Sequence, residues 1–159
     1  FLGGWDVGLL TIWQSGRVVT YTSGRATGPA IGTTANKVLS YADYSGDRNA
    51  GRVMRQGDGV YWLTPEEVSR FSYPAAGEIG TGGRNAFRGP RFFNADISLV
   101  KKFKLTERHT FVFRAEAYNL LNNANFAVPN SNLAEGAFGK IAKTLGDARV
   151  MQIALRYSF

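Results

Sequence analysis

The sequence predicts an all-β chain built on about four antiparallel strands. Three observations carry this prediction. Four segments alternate apolar and polar residues with a period of two. Nineteen glycines accompany 13% aromatic residues, a mixture of turn formers and strand formers that suits β-structure. The connections between the four segments are unequal, one short and two long.

The first segment, WDVGLLTIW, puts Trp5, Val7, Leu9, Thr11 and Trp13 on one face. The other face starts with Asp6 and Gly8 and then turns apolar. Gln14, Ser15 and Gly16 predict a bend or bulge, with RVVTYT (17–22) extending the strand. A long connection, 24–90, follows, rich in Gly, Ser, Asn and Asp. Within it TPEEVSRF (64–71) predicts one or two helical turns, with Thr64 as cap, Pro65 at the first position, and Glu66 and Glu67 next. The second strand, FFNADISLVKKF, aligns Phe93, Ala95, Ile97, Leu99 and Phe103, with Lys101 the one exception. Asn94, Asp96, Ser98 and Lys102 oppose them. The short turn KLTE (104–107) leads to TFVFRAEAY, where Phe111, Phe113, Ala115 and Ala117 face Thr110, Val112, Arg114 and Glu116. A second long connection, 121–146, begins NLLNNANF. The fourth strand puts Met151, Ile153, Leu155, Tyr157 and Phe159 on one face and Gln152, Ala154, Arg156 and Ser158 on the other.

Composition excludes several function classes. Cysteine is absent, which removes disulfides, thiol catalysis and thiolate metal sites. The single histidine, His109, is expected as a solvated turn residue and supplies neither a metal cluster nor a catalytic triad. EIGTGGRN (78–85) lacks the Lys-Ser/Thr of a phosphate cradle and predicts a sharp loop whose glycines allow positive φ. Glu66–Glu67 suits a helix start, not acid–base chemistry. No enzyme activity and no cofactor is expected. The net charge of +7 is scattered, which argues against nucleic acid as partner. No apolar run approaches the roughly eighteen residues of a transmembrane helix, which says nothing about membrane-spanning strands. No signal peptide is legible, and FLGG without Met suggests a processed start or a piece of a longer chain.

Numbered up, down, up, down, the strands place both long loops at one end. The KLTE turn, Phe1 and Phe159 lie at the other. Outer-membrane barrels share this asymmetry, with short periplasmic turns and long extracellular loops. A soluble sandwich also alternates, but here aromatics sit near strand ends, at Trp5, Phe103, Tyr118, Tyr157 and Phe159, as in interfacial girdles. The polar faces carry Asp96, Lys102, Arg114, Glu116 and Arg156, suited to a water-filled lumen. Arg114 and Glu116 are expected to pair across strands with Asp96 or Lys102. Four strands cannot close a barrel, since the smallest have about eight. The expectation is therefore the C-terminal strands of a large transmembrane β-barrel in the outer membrane of a Gram-negative bacterium, with lipid as its surroundings.

More specific signals follow in order along the chain. Gly83, Arg84, Asn85, Gly89 and Pro90 precede a strand with Asn94, Asp96, Ser98 and Lys101. A turn with Thr106 and Glu107 leads to Phe113, Arg114, Glu116, Tyr118, Asn119, Leu120 and Asn122, with Asn125 and Phe126 beyond. Phe138, Gly139 and Ile141 come next, then Arg149, Gln152, Leu155, Arg156 and Phe159. Trp5 and Gln14-Ser15-Gly16 lie upstream. This pattern resembles the C-terminal barrel of TonB-dependent outer-membrane receptors, in particular the Oar-like group that often carries an N-terminal carboxypeptidase-regulatory-like domain. One departure is Arg17-Val18-Val19, where the family follows QSG with Pro and an aromatic. The resemblance implies that 1–159 is the C-terminal segment of a plugged barrel of about twenty-two strands. It implies ligand capture by extracellular loops and uptake energised by TonB through a plug outside this sequence. It also implies that Ile153, Leu155, Tyr157 and Phe159 form the signal read by the barrel-assembly machinery. The ligand is not legible. Two alternatives are a non-transporting outer-membrane adhesin or surface receptor, and a soluble basic β-domain that binds nucleic acid.

Overall fold

The computed structural model describes residues 3–27 and 39–159, so 28–38 of the first long connection, Phe1 and Leu2 lie outside the described residues. In chain order the elements are β1 (Trp5–Gln14), β2 (Val18–Val19), β3 (Asp43–Tyr44), β4 (Met54–Gln56), β5 (Gly59–Tyr61), α1 (Pro65–Ser69), β6 (Phe71–Ser72), β7 (Phe87–Arg88), β8 (Phe92–Lys104), β9 (Thr110–Tyr118), β10 (Lys140–Ile141) and β11 (Val150–Ser158). They fall into two units.

The sheet unit holds residues 1–14, 92–125 and 145–159. Its strands run in the order β1-β8-β9-β11, all neighbours antiparallel. The four alternating segments thus form one sheet, as their pattern predicts. The register keeps the apolar sets together: Leu9 lies opposite Ile97, Ile97 opposite Ala117, and Ala117 opposite Met151. A slip of one residue would send an entire set to the other face. β8 and β9 are joined by the short turn 105–109, closed by Leu105 N–H donating to the His109 carbonyl at 2.9 Å. Among the described residues, β1 and β11 are each paired on one side only.

The loop unit holds residues 15–91 and 126–144. The two long connections are not structureless; they share a core of Val19, Tyr21, Ala42, Leu63, Phe71, Phe87 and Phe138. The Tyr21 ring meets Phe71, Phe87 and Phe138 edge-on, with centroids 4.9, 4.8 and 5.4 Å away. Backbone bonds tie the connections together: Thr22 N–H donates to the Ser131 carbonyl, and Leu133 N–H to the Thr22 carbonyl. β10 of the second connection pairs with β5 of the first.

The expected extension of the first strand through 17–22 is corrected. β1 stops at Gln14, and only Val18–Val19 continue as strand, paired with β7 in the loop unit. Gly16 lies so close to the chain at Gly89 that a Cβ there would sit 1.8 Å from the Gly89 carbonyl oxygen. The alternation beyond it points Val19 and Tyr21 into the aromatic core instead.

Helix α1 follows its sequence signals. Thr64 Oγ1 accepts from Glu67 N–H at 3.0 Å, and Glu67 Oε2 accepts from Thr64 N–H at 2.6 Å, a reciprocal capping box. The glycine-rich loop also behaves as expected. Gly80 has φ of 88°, and a Cβ there would meet the Tyr41 carbonyl oxygen at 2.2 Å.

Candidate functional site

The sheet has two chemically distinct faces, and these are the candidate functional surfaces. The apolar face carries Trp5, Val7, Leu9, Thr11 and Trp13 from β1, and Phe93, Ala95, Ile97, Leu99 and Phe103 from β8. Phe111, Phe113, Ala115 and Ala117 from β9 continue it, then Met151, Ile153, Leu155 and Tyr157 from β11. Much of this face is open to the surroundings, with Val7 67% exposed, Trp13 76% and Ile153 72%, while the small Ala95 and Ala117 are buried. A contiguous apolar face of this extent marks an interaction surface, not the outside of a water-soluble monomer.

Lys101 is the charge on this face, and its surroundings explain why it is tolerated. It lies opposite Trp5 on β1 and Phe113 on β9. Its ammonium stands 4.7 Å from the Trp5 ring centre and 5.4 Å from that of Phe103, and donates to the Gly3 carbonyl. Aromatic faces and a carbonyl stabilise the cation near the strand end.

The polar face holds Asp96, Lys102, Arg114, Glu116 and Arg156 together. The expected ion pairs of Arg114 and Glu116 with Asp96 or Lys102 do not form. Arg114 Nη2 pairs with Glu116 of its own strand at 2.5 Å, because residues two apart share a face. Glu116 also accepts from Gln152, directly opposite on β11. Lys102 pairs instead with Asp6, at 3.7 Å. Asp96 Oδ1 accepts from Asn94 Nδ2 at 2.9 Å and from Asn119 N–H at 2.8 Å. Arg156 has no ion-pair partner among the described residues. Tyr118, expected among the girdle aromatics, lies on this polar face, two residues from Glu116 and opposite Val150. Trp5, Phe103 and Tyr157 are on the apolar face.

Beyond Tyr118 an asparagine frame replaces strand pairing. The Asn125 side-chain amide mimics a peptide group: its Oδ1 accepts from Phe93 N–H at 2.8 Å and its Nδ2 donates to the Phe93 carbonyl at 2.8 Å. Asn119 Nδ2 donates to the carbonyls of Asn123 and Asp147, at 3.1 and 3.0 Å. Arg149 N–H donates to Asn122 Oδ1 at 3.1 Å. Asn119 and Asn122 both adopt φ of 49°, a conformation asparagine tolerates better than most residues. The NLLNNAN run thus stitches the ends of β8, β9 and β11.

At the other end, His109 closes the turn as expected but is half-buried rather than fully solvated. Its Nδ1 lies 2.6 Å from the Tyr157 hydroxyl, and the two rings stack with centroids 5.8 Å apart. Tyr157 also stacks on Phe111 at 4.6 Å and touches Phe159 at 5.8 Å. A β11 residue therefore fixes the turn between β8 and β9, a link no local spacing reveals.

No group of His, Cys, Asp and Glu able to hold a metal exists among the described residues. In comparisons with known proteins, no curated protein and no solved structure matches the chain. A family model described as an outer membrane beta barrel domain matches residues 1–152. With this match over nearly all of a strand-rich chain whose antiparallel sheet has one polar and one exposed apolar face, the protein belongs to the outer membrane beta barrel domain family and resides in the outer membrane.

Proposed function

We propose that the chain is the C-terminal segment of a TonB-dependent receptor barrel that captures a ligand through its loop unit and takes it up across the outer membrane. The observation that carries this reading is the two-faced four-stranded sheet whose long connections both leave from one end. Its apolar face meets lipid. Its polar face, with Asp96, Lys102, Arg114, Glu116 and Arg156, lines a water-filled lumen. Two single-sided edge strands cannot stand in hydrocarbon, so further strands complete the wall. A folded loop unit with its own aromatic core suits ligand capture better than a floppy loop, because less order must be imposed on binding. The plug, its contact with TonB and the energising step lie in other parts of the protein.

The test compares depletion of nutrients from the growth medium by the parent strain, a strain lacking this gene and a strain lacking TonB. The expected result is one compound retained by both mutants. Unchanged depletion in the gene deletion, together with altered cell attachment, would favour a non-transporting surface receptor instead.

The strand bearing Ile153, Leu155, Tyr157 and Phe159 serves as the assembly signal. Free strand edges are templates for pairing, and alternate side chains give such pairing its specificity. Deleting Phe159 from the full-length protein is expected to lower the amount of heat-modifiable barrel in the outer membrane. Unchanged assembly would remove this role.

A further inference from the structure

The polar face carries a concavity of about 430 Å³ at the loop ends of β8, β9 and β11. Its lining includes Phe92, Tyr118, Asn94, Asp96 and Asp147. No Lys or Arg lines it, although the chain carries a net charge of +7.

Two features set this concavity apart from an ordinary polar surface. First, its carboxylates are uncompensated. Asp96 Oδ1 accepts from Asn94 Nδ2 and Asn119 N–H, which orients the group, while Oδ2 has no hydrogen bond among the described residues. Asp147 takes part in the asparagine frame only through its main-chain carbonyl, and its carboxylate makes no ion pair among the described residues. Second, aromatic rings line a face otherwise rich in charge. Tyr118 is 46% exposed there and shares the face with Glu116 and Arg114. Carboxylates and aromatic faces both attract cations, the rings through their negative quadrupole. A neutral polyol would use the same acceptors but leave both negative charges unopposed.

We propose that this concavity is a binding site for a cationic nitrogen, an ammonium or guanidinium carried on an apolar body. The nitrogen sits between Asp96 and Asp147, and the apolar body lies against Tyr118 and Phe92. The site rests on the barrel reading only in needing a water-filled polar face, and it does not require TonB-driven uptake. The cation could come from a free small molecule or from a Lys or Arg of another segment of the same protein.

The experiment titrates benzylammonium and the neutral benzyl alcohol into purified full-length protein in detergent, by calorimetry, and is independent of uptake. Asp147→Asn and Tyr118→Ala are the variants, because neither side chain belongs to the asparagine frame. A free cation as occupant predicts that benzylammonium binds about tenfold more tightly than benzyl alcohol and that each variant weakens it about tenfold. An internal cation predicts that the wild type binds neither probe and that Asp147→Asn and Asp147→Lys lower Tm while Asp147→Glu does not. The proposal is overturned if the two probes bind equally, if the variants keep wild-type affinity for benzylammonium, or if neither probe binds and Tm is indifferent to the charge at 147. Because the probes are bound in detergent, these outcomes stand whether or not the protein transports anything.

Discussion

In the sheet unit Val7, Leu9, Trp13, Ile153 and Leu155 stand outward along one exposed face, whereas in the loop unit Tyr21, Phe71, Phe87 and Phe138 turn inward on one another. The first arrangement needs an apolar surrounding, which on the proposed barrel reading is lipid. The second makes its own apolar surrounding and is satisfied by packing. One chain thus holds two folding problems with different solvents, and substitutions should act on them separately.

The largest expected effect is in the loop unit. Phe87→Ala leaves a cavity beside Tyr21 and should cost about 3–5 kcal/mol. Limited proteolysis of the full-length protein should then cut within 15–91 and 126–144 while β8, β9 and β11 stay protected. Equal loss of protection in the sheet would mean that the two units are not independent. Next come charges on the apolar face. Leu9→Arg and Ile153→Arg should each cost about 2–4 kcal/mol near the bilayer centre, measured by denaturant unfolding from lipid vesicles. Gln152→Arg, one residue away on the opposite face, should cost far less; equal penalties would break the distinction between faces. Asn125→Ala should cost about 1–3 kcal/mol, because it leaves the Phe93 N–H without its partner, while the Phe93 carbonyl keeps only Asn123 Nδ2. Faster hydrogen exchange at Phe93 would report it.

Much of the sheet was legible in the sequence because its environment is periodic. Each strand keeps an apolar set on one side and a more polar set on the other, so side chains at a spacing of two record the two faces. The loop-unit core was not legible, because Tyr21, Phe71, Phe87 and Phe138 come from four separate segments, one ring each. No spacing links them: Tyr21 sits in the expected strand extension, Phe71 at the end of the expected helical turns, and Phe87 and Phe138 in the long connections. The helix cap was visible because Thr64 and Glu67 act over three residues. The His109–Tyr157 contact was not, since it spans 48 residues. For the polar face the sequence gives each residue's side but not its partner. Arg114 pairs with Glu116, and Glu116 also accepts from Gln152, in place of the opposite-strand charges.

The smallest expected effect concerns acid. In the loop unit the Asp58 carboxyl is held below its ordinary value by hydrogen bonds from Lys140 and then Tyr61, and that of Glu135 by Asn130 and then Asn132. Depressed carboxyl values give a stabilisation that is present above the ordinary carboxylate range. It is lost as pH falls below about 4. Tm of the loop unit should therefore fall on acidification, and Asp58→Asn with Glu135→Gln should flatten that fall. Both groups are exposed, so the change should be small.

The Tyr21 hydroxyl, enclosed by three aromatic rings, has no hydrogen-bond partner among the described residues. Burial, and then the Glu67 charge, push its ionisation far above the ordinary phenol value of 10.0. Above that value the unfolded chain gains by losing the proton and the folded chain does not, so alkali weakens the loop unit. The phenol is therefore a built-in optical probe: its phenolate absorbance stays dark while the aromatic cluster is closed, and its appearance times the opening.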